Sequence, residues 1–207
     1  MSTLKRDLKI ALLLGGPGAE REVSLVSGKS VYGALRQAGF TDVTEVDVHG
    51  PDFRLPEGTE LAYNIIHGTF GEDGALQAIL EERGVPYTGA GSRSSALCFD
   101  KSESKKVFLE AGVPTPRAEI LDCSGGIVMP SLPLPFVIKP PCEGSSVGVH
   151  IIHKQEDVCS PPWRKPLPTA PPCWWRNSFK AVNLRWAFWT GKPSRSSTSA
   201  PAPASMT

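Results

Sequence analysis

Residues 8–16 read LKIALLLGG, an almost unbroken apolar run with one lysine near its start and two glycines at its end. A strand with one wet face would alternate; a continuous run suits a strand buried on both faces of a parallel sheet. The run is also too short for the apolar region of a secretion signal, and it ends in a glycine turn rather than a small-residue cleavage site. Working outward, EVSLVSGKSVYGALRQAG (22–39) sets Val23, Val26, Val31, Leu35 and Ala38 near helical spacing, with Gly39 where a C-cap belongs. DVTEVDVHG (42–50) alternates as a second strand, and LAYNIIHG (61–68) reads as a third. GALQAILEERG (74–84) is a helix stopped by Gly84, and SSALCFDKSESKKVFLEAGVPTP (94–116) is one further helical stretch stopped by Gly112 and two prolines. Strand, helix, strand, strand, helix is the rhythm of an α/β domain with an open parallel, Rossmann-like sheet, whose ligands bind at strand ends. After a short strand, RAEIL, the segment PFVIKPPCEGSSVGVHII (135–152) predicts a hairpin that opens a new unit.

Composition bounds the function classes. The 207 residues, 40% apolar, suffice for one large domain or two small ones. No run reaches the eighteen or so apolar residues a membrane span needs, so a cytoplasmic protein without a membrane partner is expected. Five cysteines without C-x-x-C spacing imply neither a zinc site nor a disulfide framework. The net charge of +1 hides two compositions. Residues 1–157 hold all 21 acidic residues, whereas 158–207 hold seven Lys/Arg, all five tryptophans and no Asp or Glu. A boundary is therefore placed near Val158.

Several stretches carry chemistry. In VIKPPCEGSSVGVHI, Gly144, Ser145, Ser146 and Gly148 form a small loop whose backbone N–H groups can approach phosphate oxygens. Lys139, on the strand feeding it, can supply a cation to phosphate charge; a solvent-exposed hairpin with an incidental lysine is the competing reading, and for an isolated Gly/Ser hairpin the commoner one. In GGPGAEREVSLVSG, Glu20 is either a charge favoured by a helix N-terminus or a partner for a substrate ammonium. In IIHGTFGEDG, His67 lies at a strand's carboxyl end, where open α/β sheets bind ligands, although a lone histidine is more often structural. Lys101, after Asp100 in a charge run, is by itself an ordinary solvated residue.

In order and spacing, LLGGPGAEREVSLVSG, HGTFGEDGALQAILE, GVPYTGAGSRSSALCFDKSESKKVF and FVIKPPCEGSSVGVHII closely resemble the D-alanine–D-alanine ligases of bacterial cell-wall synthesis, members of the ATP-grasp superfamily. The resemblance covers about residues 8–157. It implies a pre-ATP-grasp substrate domain at 1–102, the start of an ATP-grasp α+β subdomain at 103–157, and a tail at 158–207 outside the family pattern. The implied reaction uses ATP and Mg2+ to activate one D-alanine as an acyl phosphate, which the amine of a second D-alanine then attacks. By resemblance, Glu20 holds the ammonium of the first D-alanine and His67 lies near its carboxylate. Lys101 and Lys139 contact nucleotide phosphates, and the loop Glu143, Gly144, Ser145, Ser146, Val147 closes over them, with Ser145 linked to Glu20. A homodimer is implied by the family, a D-alanine–D-lactate ligase is the alternative within it, and no nucleic-acid partner is expected.

The tail departs from that pattern. Residues 174–189, WWRNSFKAVNLRWAFW, contain four tryptophans and no acid. Pairing the third base of each codon with the first two of the next forces Leu at Cys173–Trp174, Val at Trp174–Trp175, Gly at Trp186–Ala187 and Asp at Trp189–Thr190. Those residues are compatible with the family's own continuation. Residues 158–207 are accordingly expected to be an out-of-frame, disordered tail, the ATP-grasp subdomain to be incomplete and without its metal ligands, and the chain to be inactive. The rival reading is a non-catalytic binding protein with a basic, Trp-rich tail for nucleic acid or a membrane surface. A stop codon in the alternative phase of the DNA across codons 155–175 excludes the frame reading.

Overall fold

The computed structural model describes residues 5–122, 129–144, 148–159 and 178–183. Strand β1 (Ile10–Gly15) is buried at all six positions and lies at the centre of a three-stranded parallel sheet, between β2 (Val43–Val48) and β3 (Leu61–Asn64). Ile10 stands opposite Val43 on one side and Leu61 on the other. The continuous apolar run thus does what two-sided burial requires, removing Ala11 and Leu13 from water on one face while helix α1 (Arg21–Gln37) covers β1 from the other.

Helix α1 differs from its expected packing. Its buried residues are Ser24 and Gly28, while Val23 and Val26 are exposed at 51% and 66%. A Cβ added to Gly28 would lie 2.8 Å from Leu14 Cδ2, so the absence of a side chain sets how closely α1 approaches β1. The apolar periodicity fixed the helix, but small residues fixed its inward face.

On the other face, helix α2 (Ala75–Glu82) contributes Leu76 and Leu80 to a core with Ala11, Leu13, Val48, Ala62, Ile66 and Phe70. The expected long helix after it is two helices, α3 (Ser92–Phe99) and α4 (Lys101–Glu110). Asp100 stands between them in extended conformation and accepts hydrogen bonds from the backbone N–H groups of Ser102 and Glu103. An N-cap of this kind ends one helix and starts the next without interrupting the apolar pattern.

The second unit is a four-stranded antiparallel sheet, with β4 (Ala118–Asp122), β5 (Phe136–Lys139), β6 (His150–Ile152) and β7 (Ser178–Asn183) in the order β4-β7-β5-β6. The expected hairpin is β5–β6. Its core gathers Leu121, Leu132, Phe136, Ile138, Ile152 and Val158. Val158 is fully buried within the short helix α5 (Glu156–Cys159), which runs across the compositional boundary. Within 158–207, Ser178–Asn183 forms β7 and pairs with strands on both sides. SFKAVN has no glycine or proline and includes aromatic and β-branched residues, a composition that tolerates a strand in whichever frame it arose. Among the described residues, no helix is long and apolar enough to cross a membrane.

Candidate functional site

The site is assembled at the carboxyl ends of β1 and β3, where α1 begins. Gly15 and Gly16 leave β1 with φ of 83° and 94°, backbone that favours glycine, and the chain turns into Glu20 as the residue before α1. The Glu20 side chain does not cap its own helix. Its carboxylate lies instead against two glycines from elsewhere. A Cβ on Gly68 would come within 2.6 Å of Glu20 Oε2, and one on Gly144 within 3.0 Å. Glu20, the turn after β3 and the β5–β6 loop, three separate stretches of sequence, therefore meet at one carboxylate.

His67 is fixed by α1. Its backbone N–H donates to Ser24 Oγ at 2.9 Å, and its Nε2 lies 3.3 Å from Ser27 Oγ. The buried Ser24 hydroxyl donates in turn to the Glu20 carbonyl at 3.2 Å, so one small side chain ties the histidine strand to the turn that carries the carboxylate. The glycine-rich turn after His67 is held by its own acids. Gly68 N–H donates to Glu72 Oε2 at 2.8 Å, and Phe70 N–H donates to Asp73 Oδ2 at 2.8 Å. Phe70 has φ 76°, and its burial in the core together with the Asp73 bond stabilises that unfavourable backbone.

Lys101 opens α4 and reaches across to the hairpin. Its backbone N–H and its Nζ both donate to the Pro141 carbonyl, and Nζ also donates to the carbonyl of Glu143. Burial, then the nearby Lys139, lowers its affinity for the proton. The Glu143 carboxyl is pushed up by burial, with Lys101 opposing and Glu20 adding to the shift. Cys142, also half-buried and hydrogen-bonded to Asp100, is pushed up to about 11, so its thiol stays protonated at neutral pH. Lys101 and Lys139 line a cavity of about 330 Å³ with Lys105, Phe108, Thr115 and Pro116.

Of the site residues expected from sequence, Glu20, Gly144 and the His67–Gly68 turn come together, and Lys101 and Lys139 share the neighbouring cavity. Ser145, Ser146 and Val147 lie outside the described residues. Sequence reading missed Ser24, Ser27, Glu72, Asp73 and Lys105. The first two were hidden because a serine inside an apolar helix pattern carries no signal of its own, whereas the acids of GEDG were visible as a pattern without an evident task. Among the described residues, no cluster of three or more His, Cys, Asp or Glu side chains fits a metal ion, so none is assigned to magnesium.

No protein-family profile matches the chain. Curated relatives do. The chain is 44% identical over 156 residues to the D-alanine–D-alanine ligase of Desulforudis audaxviator, covering 72% of this chain and 51% of that one. It is 46% identical over 157 residues to the enzyme of the same name from Cereibacter sphaeroides, covering 74% and 50%. The chain thus spans about half the length of these relatives. Among solved structures, its fold is similar to D-alanyl-alanine synthetase A from Vibrio cholerae, with a TM-score of 0.67 at 22% identity over 86% of this chain and 60% of that one. It is likewise similar to D-alanine–D-alanine ligase from Helicobacter pylori, with a TM-score of 0.67 at 19% identity over 85% and 63%.

Proposed function

We propose, from the premise that most of this chain is homologous to the D-alanine–D-alanine ligases, that it carries the first-substrate and phosphate-facing half of an ATP-dependent ligase joining two D-alanines. The observation that carries the reading is the meeting of Glu20, the His67–Gly68 turn and Gly144 around one carboxylate. A carboxylate beside two side-chain-free glycines offers a small zwitterion an acceptor for its ammonium and little room for a bulky side chain. His67, held by Ser24 and Ser27, would then meet the substrate carboxylate.

The chemistry is charge handling. The substrate carboxylate oxygen takes the terminal phosphoryl group of ATP as the bond to ADP breaks. The amine of a second D-alanine then bonds to the acyl carbon and gives up a proton to the departing phosphate as the C–O bond breaks. Both steps require positioned reactants and stabilised phosphate charge more than covalent help from the protein. Lys101 and Lys139 supply cations on the phosphate side, and Lys101 also holds the hairpin loop by its backbone carbonyls. Magnesium, when bound, would offset the charge of the nucleotide phosphates.

Calorimetric titration of the full chain with D-alanine, L-alanine and ATP tests the proposal. D-alanine is expected to bind in preference to L-alanine, and Glu20→Gln to weaken it by about tenfold through loss of a charge-assisted hydrogen bond. Equal D-alanine affinity in wild type and Glu20→Gln, or no binding of either D-alanine or ATP, overturns it.

A further inference from the structure

We propose that Lys105 is a third cation of the phosphate-binding side, donating to the same oligophosphate that Lys101 and Lys139 face; this rests on the ligase reading above. Among the described residues, the lining of the cavity includes no aspartate or glutamate. Asp100 and Glu143 offset part of the Lys101 charge, whereas the charge acting on Lys105 is that of Lys139, of the same sign. Such an arrangement is relieved by a ligand with several negative charges close together, which is what an oligophosphate chain presents.

Lys105 is held in place for this. Its ammonium donates to Thr115 Oγ1 at 2.7 Å and to the carbonyl of Pro116. An ammonium has three hydrogens, so two neutral acceptors fix its position and leave one hydrogen for an anion. The next residue shows the contrast. Lys106 pairs with Glu103 at 2.6 Å on the exposed side of α4, and its proton affinity rises accordingly. Among the described residues no carboxylate forms an ion pair with Lys105, and burial followed by Lys139 lowers its proton affinity. The bland alternative is a tether, with Lys105 merely fastening the 115–116 segment to α4.

The two roles separate in binding measurements on the full chain with ATP and with inorganic tripolyphosphate. Lys105→Gln is expected to weaken both ligands by about tenfold, Lys105→Arg to recover most of the loss, and the affinity of Lys105→Gln to depend less on salt than that of wild type. Wild-type binding of both ligands with unchanged affinity in Lys105→Gln overturns the proposal and leaves the ligase reading standing. Failure of wild type to bind either ligand overturns both. Should Lys105→Gln not fold, the wild-type chain labelled at lysine Cε decides the matter, with the Lys105 signal assigned through Lys105→Arg. Its titration is expected to move to higher pH on adding tripolyphosphate, and an unmoved titration overturns the proposal.

Discussion

At the scale of single residues, the site depends on side chains that do no chemistry. Ser24 is fully buried, donates to the Glu20 carbonyl and accepts the His67 N–H. Alanine in its place leaves a buried backbone donor without a partner, which costs about 1–3 kcal/mol. Ser24→Ala is therefore expected to lower the stability read by urea unfolding by that amount, and to weaken D-alanine binding because His67 is no longer registered against α1. An unchanged midpoint would mean that the hydroxyl is dispensable and that the β3 end is held by Ser27 and the Glu72 bond instead. The same residue shows why part of the site was illegible in sequence. Glu20 and His67 could be read, because a carboxylate after a glycine turn and a histidine at a strand end are each placed by local pattern. Ser24 could not, because its partner is 43 positions away and its burial depends on α1 turning a small face inward.

At the scale of elements, helix stops were the most legible features. Gly39, Gly84 and Gly112 follow α1, α2 and α4 with φ of 89°, 66° and 68°, conformations that glycine adopts without the penalty a Cβ brings. The start of α3 was harder to read, because its cap comes from a side chain distant in sequence. The residue before α3 is Gly91, which has no side chain to offer. Glu81, near the end of α2, provides the cap: its carboxylate accepts from Ser92 N–H at 3.0 Å, Ser92 Oγ at 2.6 Å and the Tyr87 hydroxyl at 2.5 Å. Those bonds, the Ser92 hydroxyl first, hold the Glu81 carboxyl down at about 2 against an ordinary value of 4.5. A depressed carboxylate contributes stability that is fully present above 4.5 and lost as pH falls through about 2. Unfolding of wild type and Glu81→Gln compared from pH 7 downward is expected to show a difference that shrinks below 4.5 and vanishes near 2. A difference that stays constant through that window would show that Glu81 does not cap α3 as a carboxylate.

At the scale of the whole molecule, the question is what β7 does for the second sheet. Two-sided pairing places Ser178–Asn183 between β4 and β5, with Ala181 opposite Glu119 on one side and Ile138 on the other. Without it, each of those strands would present an unpaired row of backbone donors and acceptors, the kind of edge that invites association with other chains. Sequence reading assigned this segment to a disordered tail because its residues leave the ligase pattern and fit an out-of-frame translation. Composition, however, limits packing more than backbone pairing, and strand pairing draws on groups every non-proline residue carries. Lys139, which lines the lysine cavity, also lies on β5 opposite Lys180 of β7, so the strand that carries it is held in register by the tail. Proline at position 181 tests this, since it has no N–H to donate and is confined to edges in natural sheets. Ala181→Pro is expected to raise amide exchange across 118–122 and 136–139 together and to weaken tripolyphosphate binding, while leaving exchange in β1 and β3 as in wild type. If both outer strands keep their protection in that variant, β4 and β5 do not depend on β7. The cavity that Lys139 lines would then owe nothing to β7.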